Sequence, residues 1–170
     1  MTGKFLKPAV AGLLFAAAGV FSTTQVLAAD NVVRHDIPDS DFPVAEGVEV
    51  GPDATVLYLS GNVPPVVDES ADDQTTAAYG NTETQTRNVL KAIAGKLDAL
   101  GYGMGDVVKM NAYVATEPDA NGVDFDGFMA AYTEFFGTDE QPNLPARTTL
   151  AVPQMVNPGW LVEIDVIAAQ

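Results

Sequence analysis

The chain has 170 residues, 47% hydrophobic and 18% charged with a mean hydropathy of +0.10, which marks one globular domain and excludes disorder and low complexity. It holds no cysteine and one histidine, so thiol nucleophiles, disulfides, thiolate metal sites and zinc sites with several imidazoles are excluded. Eight basic against 23 acidic residues give a formal charge of −15, a field that repels phosphate backbones and disfavours a nucleic-acid partner.

Met1 to Pro8 carries Lys4 and Lys7, Ala9 to Phe21 is an unbroken run of apolar residues and glycine, and Val26-Leu27-Ala28 offers small residues at a cleavage site. These are the three regions of a secretory signal peptide, and the apolar run falls short of the roughly 20 residues a bilayer-spanning helix needs. Residues 1–28 are therefore read as a removed leader and 29–170 as the mature domain. The expected location is the periplasm or the medium, with no membrane attachment after cleavage. His35, between Arg34 and Asp36, reads as a solvated or strand-edge residue.

Val48 to Ser60 reads as a hairpin: Val48 and Val50, a Gly51-Pro52-Asp53 turn, then β-branched and aromatic Thr55 to Ser60. Pro64 to Thr76 is a polar surface loop with clustered Asp68, Glu69, Asp72 and Asp73. Val89, Ile93, Leu97 and Leu100 recur at spacings of three and four, which predicts an amphipathic helix between Tyr79 and Leu100 ended by Gly101. Glu83 and Arg87 form a surface pair on it. Val107 to Ala115 is the next strand. Asp124 caps a second helix whose stripe of Phe125, Phe128, Met129, Tyr132, Phe135 and Phe136 is core, with Gly137 closing the segment. Arg147 to Val152 and Leu161 to Ala169 complete the order ββ, α, β, α, ββ, an α+β fold with two helices packed on one sheet.

Glu163 and Asp165 interrupt the last, nearly continuous apolar strand and point to one side of it. Buried carboxylates are costly unless paired, so a partner, an interface or a site is expected there. Arg147 opens the preceding strand after a proline and is the candidate counter-charge, either for Glu163 in a structural ion pair or for an anionic ligand. Ser60-Gly61-Asn62 marks a strand end where backbone can approach a ligand closely.

Ser60-Gly61-Asn62-Val63-Pro64, Gln85-Thr86-Arg87-Asn88-Val89-Leu90, Gly105-Asp106-Val107-Val108-Lys109, Tyr132 with Phe135-Phe136, Pro145-Ala146-Arg147-Thr148 and the strand from Val162 to Ala168 occur in the order and approximate spacing of the Rid proteins. The chain resembles this reactive-intermediate deaminase, or L-PSP, family over roughly Phe42 to Ala169. The resemblance implies a chorismate-mutase-like α+β domain that assembles as a homotrimer with three clefts between subunits. It implies hydrolysis of enamines and imines, such as 2-iminopropanoate or 2-iminobutanoate, to 2-oxo acids and ammonia, with no cofactor and no metal. By the same resemblance Arg147 clasps the substrate carboxylate, Glu163 positions or activates the hydrolytic water, and Ser60 of the Ser60-Gly61 segment lines the cleft.

Three positions depart from the deaminase pattern: Val44 stands where active members carry tyrosine, Met129 where asparagine is expected, and Thr149 where a cysteine follows the arginine. The departures imply either a larger, more apolar substrate or a trimer that binds small carboxylates such as 2-oxo acids without turnover.

Overall fold

The computed structural model describes residues 31–118 and 120–170; the leader expected at residues 1–28 lies outside them. Six strands and two helices follow in chain order: β1 (Val32–Asp36), β2 (Ala45–Val50), β3 (Val56–Asn62), α1 (Thr82–Ala99), β4 (Val107–Ala115), α2 (Phe125–Tyr132), β5 (Ala146–Val152) and β6 (Val162–Ala169). The strands form one mixed sheet in the order β1-β2-β5-β4-β6-β3. β5 runs parallel to β2 and β4, and the remaining pairs are antiparallel.

The expected hairpin does not form. The turn after β2 is present, with Ala54 N–H donating to the Gly51 carbonyl at 3.2 Å. The strands it joins nevertheless part to opposite ends of the sheet, β2 to β1 and β5, and β3 to the edge beside β6. A turn signal fixes a change of direction but not a partner, and β3 forms its ladder with the apolar β6, from Val56↔Ala169 to Asn62↔Ile164. The partner of β2 is β1, an edge strand that carries His35; its Nε2 lies 3.0 Å from Glu49 Oε1 on β2.

Helix α1 begins where Asn81 accepts a hydrogen bond from Thr84 N–H at 3.0 Å. It ends where Gly101 takes φ +84°, so that Gly101 and Tyr102 N–H reach the Asp98 and Leu97 carbonyls. Its buried stripe of Val89, Leu90, Ile93 and Leu97 meets Met110, Ala112 and Val114 of β4 and Val162, Ile164, Val166 and Ala168 of β6. Each fully buried Leu or Ile here contributes about 1.5–3 kcal/mol. α2, capped by Asp124 accepting from Gly127 N–H at 2.8 Å, stops at Tyr132 and not near Gly137. Past that point Glu134 and Phe135 N–H turn to carbonyls three residues back and Gly137 N–H leaves for Gln141, so Phe136 reaches the core from a turn.

Both helices cover one face of the sheet. On the other face lie Lys109, Asn111 and Tyr113 of β4, Glu163, Asp165 and Ile167 of β6, and Tyr58 of β3, the last 76% exposed. No helix among the described residues is long and apolar enough to cross a membrane.

Candidate active site

Strand parity decides where each candidate side chain goes. Arg147 is the register partner of the buried Met110, so it lies on the helix-covered side, and Thr149, two residues on and opposite Ala112, shares that side. Glu163 is opposite Tyr113 and between the buried Val162 and Ile164, which puts it on the open side with Asp165. The two residues thus stand on opposite faces, and no ion pair joins them among the described residues; the structural ion pair offered from the sequence is not formed. Asp165 has a neutral partner instead, accepting from Asn111 Nδ2 at 2.9 Å.

Arg147 sits in an aromatic cradle. Its guanidinium carbon lies 4.2 Å from the ring centroid of Tyr132, 5.2 Å from Phe128 and 5.5 Å from Phe42. Phe128 and Tyr132 are four residues apart on α2 and therefore present neighbouring rings to the strand, a cation–π arrangement. Nη2 contacts the Met129 sulfur at 3.2 Å, while Nη1 is buried with no hydrogen-bond partner among the described residues. Burial pulls the Arg147 pKa below its ordinary value, with the nearby Tyr132 opposing the shift, yet a guanidinium keeps its charge near neutral pH. Burial likewise pushes the Tyr132 phenol up to about 12, against the Arg147 charge, so it remains a neutral donor. That donor is used: Tyr132 Oη donates to the Pro43 carbonyl at 2.9 Å and pins the segment carrying Phe42 and Val44.

Beside this cradle lies an open cavity of about 380 Å³ lined by Phe42, Val44, Val123, Phe125, Arg147 and Thr149 among others. The Thr149 hydroxyl is, like Arg147 Nη1, buried without a partner among the described residues. By its resemblance the sequence places Thr149 in the substrate cleft as a departure from the family pattern, and the strand spacing agrees, since a residue two along a strand shares the face of Arg147. Phe125, expected in the core with the rest of the aromatic stripe, stands instead at the rim of this cavity, 38% exposed.

A second cavity of about 350 Å³ lies on the open face, lined by Gly61, Tyr113, Gln154, Met155, Glu163 and Asp165. The β3–β6 ladder slips between Leu59 and Asn62, so Ser60 and Gly61 leave the regular pairing beside Glu163. A Cβ built on Gly61 would stand 2.2 Å from Glu163 Oε1, so glycine is needed for the carboxylate to lie along the backbone. Ser60 is exposed next to it, and its carbonyl accepts from Asn62 Nδ2 at 2.7 Å. The candidates therefore form two groups, Arg147, Thr149, Val44 and Met129 on one side and Ser60, Gly61 and Glu163 on the other.

Residues 43–170 match the sequence model of a family described as Endoribonuclease L-PSP. The chain belongs to the Rid, or L-PSP, family. A RutC family protein of Saccharolobus solfataricus is 34% identical over 127 residues, 74% of this chain and 86% of the relative. A Salmonella typhimurium protein named 2-iminobutanoate/2-iminopropanoate deaminase is 27% identical over 139 residues, 82% of this chain and 96% of the relative. Among solved structures, a Rid-family protein of Yersinia pestis superposes with a TM-score of 0.61 at 21% identity, covering 82% of this chain and 99% of its own, a likeness of fold. A Pseudomonas aeruginosa protein of unknown function superposes with a TM-score of 0.52 at 29% identity, covering 81% and 91%. The expected α+β architecture, two helices on one mixed sheet, is thus the Rid fold.

Proposed function

We propose that this Rid protein hydrolyses 2-imino acids and their enamine tautomers to 2-oxo acids and ammonia, as an exported homotrimer of the periplasm or medium. The observation that carries the reading is Arg147: a cation held on three aromatic rings, with a buried donor left free to meet a carboxylate. The iminium carbon of a substrate anchored there is attacked by water while Glu163 takes one water proton and passes it to nitrogen; the carbinolamine then gives its hydroxyl proton to Glu163 as the C=O bond forms, the C–N bond breaks and ammonia leaves. Because Arg147 and Glu163 occupy opposite faces of one sheet, both reach one substrate only when the open face of a neighbouring copy, bearing Ser60, Gly61 and Glu163, meets the Arg147 cavity. A cyclic trimer makes that junction three times. Neither a cofactor nor a metal enters this chemistry. RNA cleavage is disfavoured by a formal charge of −15.

The test is imine removal. With an amino-acid oxidase generating 2-imino acids and semicarbazide trapping the remainder, the wild-type protein accelerates imine loss. Arg147→Ala abolishes the acceleration, and Glu163→Gln lowers kcat by about 10²–10⁴. Wild type and Arg147→Ala performing alike would remove the site from consideration. The departures at Val44, Met129 and Thr149, which line or touch the Arg147 site, favour a second reading, a trimer that binds 2-oxo acids without turnover. Binding stoichiometric with subunits and unaccompanied by imine loss would establish that reading.

A further inference from the structure

The Arg147 cavity has more apolar wall than a three-carbon acid can cover. Its buried, unpartnered polar atoms are Arg147 Nη1 and Thr149 Oγ1, both carried to one side of β5 by the strand repeat. Around them stand Phe42, Val44, Val123 and Phe125, side chains that neither donate nor accept, and among the described residues of the single chain no carboxylate lines the space. Phe42 and Phe125, 45% and 38% exposed in the single chain, add apolar surface at the edge of this cavity. One ionic anchor with a neighbouring hydroxyl, set in apolar walls, is complementary to an anion with a hydrophobic tail.

We infer that this cavity selects 2-imino acids, and the 2-oxo acids they yield, whose side chain is aromatic or branched and apolar. The carboxylate meets Arg147 and Thr149, and the side chain covers Phe42, Val44, Val123 and Phe125. A methyl side chain leaves those walls wet, whereas each further methylene buried is worth about fourfold in binding. A charged side chain is rejected, since it would lose its hydration there with no partner. The inference rests on the deaminase reading for its imine substrates; its preference among acids stands on the cavity alone.

Two measurements on the purified protein separate these parts. One compares kcat/KM for imines made in situ from alanine, leucine and phenylalanine; the other compares calorimetric binding of pyruvate, 4-methyl-2-oxopentanoate and phenylpyruvate. The leucine- and phenylalanine-derived compounds should exceed the alanine-derived ones by at least about tenfold in both. Phe125→Ser, at the exposed rim, should bring that ratio to within about threefold, and Val44→Ser, elsewhere in the lining, should do the same, with circular dichroism confirming that each variant folds. Flat ratios in wild type, or ratios untouched by both variants, overturn the inference and leave the deaminase reading in place. Tight aromatic binding without imine loss upholds the cavity's preference and overturns the deaminase reading, while neither binding nor turnover overturns both.

Discussion

Gly61 governs where the Glu163 carboxylate lies, because the room for it exists only while position 61 has no side chain. Gly61→Ala forces the flexible end of Glu163 aside and leaves the backbone fold intact. The expected result is a fall in kcat of at least about tenfold with a stability change below about 1 kcal/mol, read from steady-state kinetics and thermal melting of the same preparation. Arg147 and Glu163 were legible in the sequence because charges in apolar strands are costly and need a reason. That they face opposite ways was not legible, for it depends on the registers Met110↔Arg147 and Tyr113↔Glu163, which pair residues far apart in the chain. Phe125 was read as core for a similar reason, since a phenyl ring that leaves the core for a cavity rim is a property of the assembled fold.

Among the elements, α1 is tied down at its start by a buried polar side chain. Gln85 is fully buried; its Nε2 donates to the Gly80 carbonyl at 2.9 Å and the Gly159 carbonyl at 3.0 Å, and its Oε1 accepts from Leu161 N–H at 2.7 Å. The start of the helix is thereby fixed to the approach to β6. Gln85→Leu strands three backbone groups and should cost about 2–4 kcal/mol in denaturant unfolding, whereas a loss under about 0.5 kcal/mol would show that the backbone finds other partners. Periodicity located both helices and the strands β4, β5 and β6 to within a residue or so at most ends, because each carries its own apolar pattern. It gave the wrong neighbour to β2, whose pairing with β5 is a single register pair, Ala45↔Ala146, and whose antiparallel partner β1 lies in a stretch read only for its histidine. The end of α2 was overrun because Phe135 and Phe136 continue the apolar spacing into a turn where Glu134 and Phe135 N–H already bond three residues back.

At the scale of the whole molecule, the open sheet face is the conspicuous asymmetry. Tyr58 and Ile167 stand opposite each other on it, as do Tyr113 and Leu150, with Lys109 donating to Thr148 at 2.8 Å between polar neighbours. The proposed trimer covers this face. Ile167→Asp should convert the assembly to monomers by light scattering and remove the Arg147-dependent activity while the helical circular dichroism persists. A wild-type monomer at micromolar concentration would dismantle the shared site. The sheet order has a separate consequence for how the chain acquires its structure. Among the described residues β3 pairs only with β6, so Val56 must wait for Ala169, over a hundred residues later, before its ladder can close. Loops of that size make closure entropically slow, and the domain should fold late and as a unit, with an unpaired β3 exposed on the way as its most aggregation-prone edge.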